Sequence, residues 1–498
     1  MSMIQVEDLT FSYPSSYDNI FEHVSFQIDT DWKLGFVGRN GRGKTTFLSL
    51  LLGNYEYQGH IRSSVQFDYF PYPVEDRERM TQEIFYEVCP QAEAWELLRE
   101  LSYLEVREDV LWRPFSTLSN GEQTKVLLAA LFLNEGHFLL IDEPTNHLDT
   151  RARAVVSAYL NRKKGFILVS HDRCFLDGCV DHILSLNRAN IEVQRGNYSS
   201  WFANFQRQQE FELAQNTKLK RSISEMQQAA RQTTRWSDAV EKSKNGARTG
   251  GVKADKGYIG HKAAKMMQRA KNIETRRQRA IEEKSGLLKN LESAEDLKLF
   301  PLRYVTDTLV TFSGVAPVFD GKEICRPLSL VVRQGDRIVL DSRNGSGKTS
   351  LLKLLLGQEI PHHGELTVGS GVAISYVPQD TSWLTGSLTD FAKQSEIDES
   401  LFRAILHKMG FSQVQFEKHM EDYSAGQKKK ALLAKSLCQR AHLYVWDEPL
   451  NYIDVYSRMQ IETLIQEFSP TMVLVEHDLA FQNAVATKTV SISGPDAP

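Results

Sequence analysis

Four short runs in the first half of the chain return in the second, in one order and at nearly one spacing. Gly43-Lys44-Thr45 recurs 304 residues on as Gly347-Lys348-Thr349. Ser119-Asn120-Gly121 and Asp142-Glu143-Pro144 recur 305 residues on as Ser424-Ala425-Gly426 and Asp447-Glu448-Pro449, and His171-Asp172 recurs 306 residues on as His477-Asp478. Order kept at a constant offset means internal duplication. A chain of 498 residues is also too long for one hydrophobic core. The expected organisation is two homologous domains, 1–195 and 301–498, around an unlike segment, 196–300. Each copy alternates β-rich and helical runs, as in Lys33 to Val37, Thr45 to Leu52 and Phe138 to Ile141. That pattern predicts an α/β domain with a largely parallel sheet covered by helices.

The segment between the copies has a different period. Leu219, Ile223, Met226, Ala230 and Thr233 recur at alternating steps of four and three, and so do Ile259, Ala263, Met266, Ala270 and Ile273. Gly246, Gly250, Gly251 and Gly257 interrupt the two runs. The reading is an antiparallel hairpin of two long helices with an irregular tip. A first helix over 202–242 would be on the order of 60 Å long. The segment holds 21 Lys and Arg against 12 Asp and Glu, a net of +9, which leaves −13 for the rest of the chain. A charged helix is ordinarily a solvated face. Segregating the positive charge on one projecting element of an acidic body instead predicts a nucleic-acid contact that needs little base reading.

Composition excludes rather than assigns. An apolar share of 41% and a charged share of 24% fit a globular chain. The longest apolar run, Val126 to Leu133, ends at Asn134-Glu135-Gly136, well short of a bilayer crossing, so no membrane domain is expected. Met1 to Leu9 lacks an export signal, which predicts a cytoplasmic location. Cys89, Cys174, Cys179, Cys325 and Cys438 form no Cys-x-x-Cys pair and read as reduced thiols rather than disulfides or a zinc site.

Gly38-Arg39-Asn40-Gly41-Arg42-Gly43-Lys44-Thr45 follows an apolar strand and opens a helix, the setting of a P-loop. Gly38, Asn40, Gly41 and Gly43 would turn backbone N–H groups around a β-phosphate. Lys44 would bridge β- and γ-phosphates, and Thr45 would ligate magnesium. The second copy reads Ser342-Arg343-Asn344-Gly345-Ser346-Gly347-Lys348-Thr349, with serine at the first glycine position. There Asn344, Gly345, Gly347, Lys348 and Thr349 take the same roles, and the next residues, Thr46 and Ser350, complete the two nucleotide-binding sets. Phe138 to Glu143 and Leu443 to Glu448 are apolar strands ending in paired acids. Asp142 and Asp447 would hold magnesium, while Glu143 and Glu448 would polarise the attacking water. His171 and His477 end further apolar strands, in register with those acids, and would contact the γ-phosphate.

Leu118-Ser119-Asn120-Gly121-Glu122-Gln123 and Tyr423-Ser424-Ala425-Gly426-Gln427 look like the signature of ATP-binding cassette proteins. The resemblance implies two tandem P-loop NTPase cassettes in which the signature of each caps the ATP held by the other. The N–H groups at a helix start suit a γ-phosphate there. One site would join Lys44, Asp142, Glu143 and His171 to Ser424 and Gly426. The other would join Lys348, Asp447, Glu448 and His477 to Ser119 and Gly121. Tyr13 resembles the aromatic that stacks on adenine. The family also places a glutamine after one strand, a magnesium ligand and mechanical lever. Tyr376-Val377-Pro378-Gln379 keeps it, whereas Tyr69-Phe70-Pro71-Tyr72 does not, which implies that the two sites differ.

Two cassettes, no membrane span and a linker of this length resemble the ABC-F translation factors. Within them the chain looks most like the Lsa-type antibiotic-resistance proteins, through Asp31-Trp32-Lys33-Leu34-Gly35, Leu111-Trp112-Arg113-Pro114-Phe115 and the tip run Asp255 to Lys265. The resemblance implies a monomer whose cassettes pair intramolecularly and an ATP-bound form that enters the ribosomal E site. Its linker would approach large-subunit rRNA and P-site tRNA through Lys253, Lys256, Tyr258, Lys262 and Lys265. Hydrolysis would release it, with lincosamides, streptogramin A compounds and pleuromutilins as the drugs countered. A housekeeping ABC-F factor is the alternative. A transporter motor subunit leaves the basic segment unexplained, and a DNA-repair ATPase usually carries zinc or far longer coiled coils.

Overall fold

The computed structural model describes residues 2–13, 19–146, 148–186, 191–211, 297–342 and 345–494, with isolated positions between 214 and 275. The chain divides into two compact units, Met1–Trp201 with Ala294–Pro498, and Phe202–Ser293. Both repeat copies lie in the first unit. The expected hairpin periodicity and its tip residues Lys253, Lys256, Tyr258, Lys262 and Lys265 fall outside the described residues, as does Asn344.

In the first copy the strands are β1 (Met3–Phe11), β2 (Phe21–Asp29), β3 (Lys33–Gly38), β4 (Gln58–Arg62), β5 (Gln66–Phe70), β6 (His137–Asp142), β7 (Phe166–Val169), β8 (His182–Leu186) and β9 (Ile191–Arg195). They form an antiparallel sheet in the order β2-β1-β4 and a larger one in the order β5-β6-β7-β3-β8-β9. The larger sheet is parallel except at β9. Its central strands are continuous apolar runs because both faces are covered; Phe166 to Val169 is buried throughout. Between the two sheets the helix Lys44–Leu51 inserts Phe47, whose ring meets Phe36 edge-on at 5.6 Å and Phe26 at 5.5 Å. Burying such a ring contributes about 1.5–3 kcal/mol, and here it fixes the helix that starts the phosphate loop.

The second copy repeats the plan with β10 (Thr308–Phe319), β11 (Lys322–Glu323), β12 (Leu328–Arg333), β13 (Arg337–Asp341), β14 (His362–Val368), β15 (Ile374–Val377), β16 (Leu443–Asp447), β17 (Met472–Val475) and β18 (Lys488–Ser491). The parallel sheet runs β15-β16-β17-β13-β18, and β10 pairs with β11, β12 and β14 in the antiparallel layer. Trp446 on β16 is fully buried and donates its indole N–H to Ser436 at 2.9 Å, which joins the sheet to the helix Ala425–Cys438. In both copies β3 and β13 end at the phosphate loop, β6 and β16 at the paired acids, and β7 and β17 beside the histidine. Three neighbouring parallel strands therefore deliver these residues to one sheet edge, where α/β folds carry their sites. Among the described residues no helix is long and apolar enough to cross a membrane.

Candidate active site

Each phosphate loop turns through glycines in the left-handed region, Gly41 (φ +78°) and Gly43 (φ +99°) in the first, Gly345 (φ +80°) and Gly347 (φ +85°) in the second. Gly43 and Gly347 each stand immediately before a helix, so N–H groups and the positive end of the helix face into the loop. The Lys44 ammonium is buried and donates to the Gly38 carbonyl at 2.6 Å and to Asn40 Oδ1 at 3.4 Å. Burial lowers its proton affinity. Lys348 is buried too and donates to the Ser342 carbonyl at 2.7 Å. Ser342, the departure from the glycine pattern, shares a hydrogen bond with the Ser346 hydroxyl.

The acids come next to these loops. Thr45 donates to Asp142 Oδ2 at 3.1 Å, and so does the Tyr69 hydroxyl at 3.2 Å. Tyr72, at the position expected to break the metal set, turns away and donates to Glu87 at 3.2 Å. Burial pushes the Asp142 carboxyl up. Asp447 rises to about 6 by burial, and both its oxygens are buried without a partner; the Thr349 hydroxyl pulls the other way without closing a regular hydrogen bond. Oxygen ligands gathered round an unsatisfied carboxylate are the donor set a hard divalent cation takes.

Glu143 and Glu448 both adopt positive φ, 50° and 48°, a strained setting for a side chain with a Cβ that costs of order 1–3 kcal/mol. Each is held there by its own N–H, bonded to Val169 O and Val475 O at 2.9 Å in both cases. Burial, then the Asp142 charge, raises the Glu143 carboxyl to about 8. Its Oε1 lies 3.3 Å from His171 Nε2 without a well-directed hydrogen bond. Glu448 is more firmly tied, because its Oε2 accepts from Gln379 at 2.9 Å and from Asn451 at 2.6 Å. His477 Nε2 is 3.8 Å from Glu448 Oε1. Buried pairs position both histidines. Asp172 accepts from Arg153 at 2.8 Å and from the Phe175 N–H at 3.0 Å, and Asp478 accepts from Arg458 at 2.8 Å and from the Phe481 N–H at 3.1 Å.

The two copies meet at these sites. Asn40 Nδ2 donates to the Tyr452 carbonyl at 2.7 Å, and Arg173 pairs with Glu462. A Cβ on Gly426 would lie 2.5 Å from the Tyr452 carbonyl and 3.1 Å from Asn40 Nδ2, so the second signature abuts the first phosphate loop. Reciprocally, a cavity of about 920 Å³ is lined by Ser119 and Gly121 on one side and by Lys348, Thr349, Ser350, Gln379, Glu448 and His477 on the other. Both signature serines also cap their own helices, Ser119 accepting from the Glu122 N–H and Ser424 from the Gln427 N–H, each at 3.3 Å.

Tyr13 bonds the Thr46 hydroxyl at 2.8 Å and meets Phe11 and Tyr55 edge-on, which places its ring beside the first turn of the loop helix. Phe319 and Ile324, unremarked in the sequence, line the cavity at the second site. The repeat could have found Phe319, since it lies 306 residues beyond Tyr13. Asn451, in register with Asn146, was legible the same way. Tyr69 was not, because nothing in a strand pattern says which residue faces the acid.

This arrangement defines a pair of P-loop nucleotide sites, each built from both copies. A family model described as ABC transporter matches residues 21–146 and 325–451, together half of the chain, and the chain belongs to that family. It binds ATP and is an ATPase. The ribosome protection protein VmlR of Bacillus subtilis (strain 168) is 26% identical over 501 residues, covering 97% of this chain and 85% of that protein. The energy-dependent translational throttle protein EttA of Haemophilus influenzae is 25% identical over 522 residues, covering 94% and 88%. Among solved structures, archaeal ribosome recycling factor aABCE1, in its complex with ribosomal stalk protein aP1, has a TM-score of 0.65 at 18% identity, covering 98% of this chain and 90% of that one. At that identity the likeness is one of fold.

Proposed function

We propose that the chain is a cytoplasmic, monomeric ABC-F ATPase of Lsa type. In its ATP-bound form it enters the ribosomal E site and protects translation from drugs of the peptidyl-transferase centre. The observation that carries this reading is the length of the likeness to a ribosome protection protein, which runs through the basic segment as well as both cassettes. A segment of net +9 on a body of −13 supports rRNA and P-site tRNA as its partners. The proposed organisation is cassettes at 1–195 and 301–498 with a helical linker at 196–300.

At each site the loop N–H groups and Lys44 or Lys348 hold the phosphates. Thr45 with Asp142, and Thr349 with Asp447 and Gln379, fit a magnesium ion, which would supply charge for the leaving phosphates. Glu143, whose proton affinity burial raises, would take up the proton of an attacking water once ionised, and Glu448 has the same place at the end of its strand in the second site. His171 and His477 face the γ-phosphate, and Ser424 with Gly426, or Ser119 with Gly121, closes the site from the opposite cassette. Because each site closes only when the signature of the opposite cassette reaches it, ATP binding stabilises the paired state and hydrolysis releases it.

The test is expression in a drug-susceptible bacterium. Growth should continue at raised concentrations of lincosamides, streptogramin A compounds or pleuromutilins, and the Glu143→Gln/Glu448→Gln variant should not confer this. An unchanged drug response with ribosome association intact would favour the second reading, a housekeeping factor, which the likeness to a translational throttle protein supports.

A further inference from the structure

The two signature helices are not equivalent in their interiors. On the helix Ala425–Cys438, Lys429 is 1% exposed, and its ammonium has three acceptors: the carbonyls of Pro378 at 2.8 Å, Asp447 at 3.2 Å and Gln379 at 3.4 Å. An ammonium has three protons to donate, so this set satisfies it completely. All three carbonyls belong to the second site: Asp447 ends β16, and Pro378-Gln379 is the stretch that leads the Gln379 side chain to Glu448. Yet the helix that carries Lys429 begins at Ser424 and Gly426, against the phosphate loop of the first site. The first copy has Thr124 at the matching place and Tyr72 where the second has Gln379. A threonine is too short to span from a helix to two separate strand ends. The long tether and the glutamine thus occur together, on one site only.

We propose that Lys429 is a positioning residue for hydrolysis in the second site, holding Asp447 and Gln379 in fixed relation to the signature helix that serves the first. Through it, a displacement of that helix on closure at the first site is carried to the groups that orient Glu448. Because losing any one acceptor would leave a buried charged donor unpaired, the ammonium holds the three carbonyls in place relative to its helix. The proposal rests on the assignment of Glu143 and Glu448 as the hydrolytic glutamates.

The test is steady-state ATPase of the full-length chain in two backgrounds. Glu143→Gln leaves turnover from the second site, and Glu448→Gln leaves turnover from the first. Adding Lys429→Met should lower second-site kcat about tenfold or more, as expected for loss of positioning, with KM little changed and first-site kcat far less affected. Lys429→Arg, which keeps donors and charge, should recover part of the loss. If Lys429→Met does not fold, Lys429→Thr, the residue of the other copy, carries the same comparison. Equal losses at both sites, a rise in KM alone or an unchanged second-site kcat would each overturn the proposal. Failure of the underlying assignment would look different, since Glu143→Gln/Glu448→Gln would then still turn over with Lys429 in place.

Discussion

Asn40 of the first phosphate loop donates to the backbone carbonyl of Tyr452 at 2.7 Å, a bond between residues more than four hundred positions apart that joins one cassette to the other at an ATP site. The same amide group has its oxygen 3.1 Å from His171 Nε2 and accepts from Lys44. A single side chain thus touches Lys44, His171 and the opposite cassette. The composite character of the site is a property of specific contacts, and it can be attacked one residue at a time.

The signature glycines should respond unequally. A methyl group on Gly426 meets the Tyr452 carbonyl at 2.5 Å, whereas one on Gly121 meets only Leu148 Cδ2 at 3.5 Å, an ordinary contact. Gly426→Ala should displace the Tyr452 carbonyl that accepts from Asn40 and crowd Asn40 itself, 3.1 Å away in the other cassette, and so reduce first-site turnover, read in the Glu448→Gln background, by about tenfold or more. Gly121→Ala should reduce second-site turnover far less, read in the Glu143→Gln background. Equal effects would mean that the two interfaces are alike.

Glu143 and Glu448, the proposed hydrolytic glutamates, should also differ. Glu448 is held by Gln379 and Asn451, while Glu143 lacks a glutamine partner because Tyr72 bonds Glu87 instead. Glu143→Gln and Glu448→Gln alone should leave turnovers that differ about threefold or more, and the pair together should lose the 10²–10⁴-fold that general-base catalysis typically supplies. Purified-protein ATPase assays measure both. Matching single variants would contradict the asymmetry.

Much of this was legible in the residues. The duplication fixed the number of α/β domains, and the register of the acids and histidines on three strands brought them to one edge, as the fold then required. Tyr69 on Asp142 and Lys429 on three carbonyls were not legible, because both depend on how far a side chain reaches across a strand or helix boundary. Ser342 stands where the pattern has its first glycine. Its pairing with Ser346 shows how the position accepts a hydroxyl, a contact that no single-position pattern displays.

The buried histidines predict a pH response of the ligand-free protein. Burial, then Lys348, holds His477 down to about 3, and burial, then Lys44, holds His171 well below its ordinary 6.5. Both are neutral in the fold, so the unfolded chain binds more protons below 6.5 and stability falls as pH drops through that value. Each should withdraw up to about 2 kcal/mol by pH 5. Urea unfolding at pH 7 and pH 5 should show a smaller loss for His171→Gln/His477→Gln than for the parent chain. The raised acids Glu143 and Asp447 act with the opposite sign but are common to both proteins and cancel in the comparison. A parallel loss would mean that the histidines are charged in the fold.

The basic segment makes two predictions that rest on sequence. Ribosome binding should weaken steeply with salt, and reversing charge at Lys262, Lys265, Arg269 and Lys271 should reduce it while ATP binding persists. Tyr258→Ala should change protection against some drugs more than others with ATPase and ribosome binding near normal, as expected of an aromatic that stacks on or displaces exposed bases. Loss of all these properties together would assign Tyr258 to packing.

In the proposed cycle ATP closes the two cassettes on each other, and this closed form is the one the ribosome binds. Co-sedimentation of the full-length Glu143→Gln/Glu448→Gln variant with ribosomes measures it directly, because the amides leave the phosphate contacts of Lys44 and Lys348 in place while removing the proton acceptors. Retention on ribosomes is expected with ATP, little with ADP, and release of the parent chain as it hydrolyses. Sedimentation independent of nucleotide, or no association with ATP present, would contradict it.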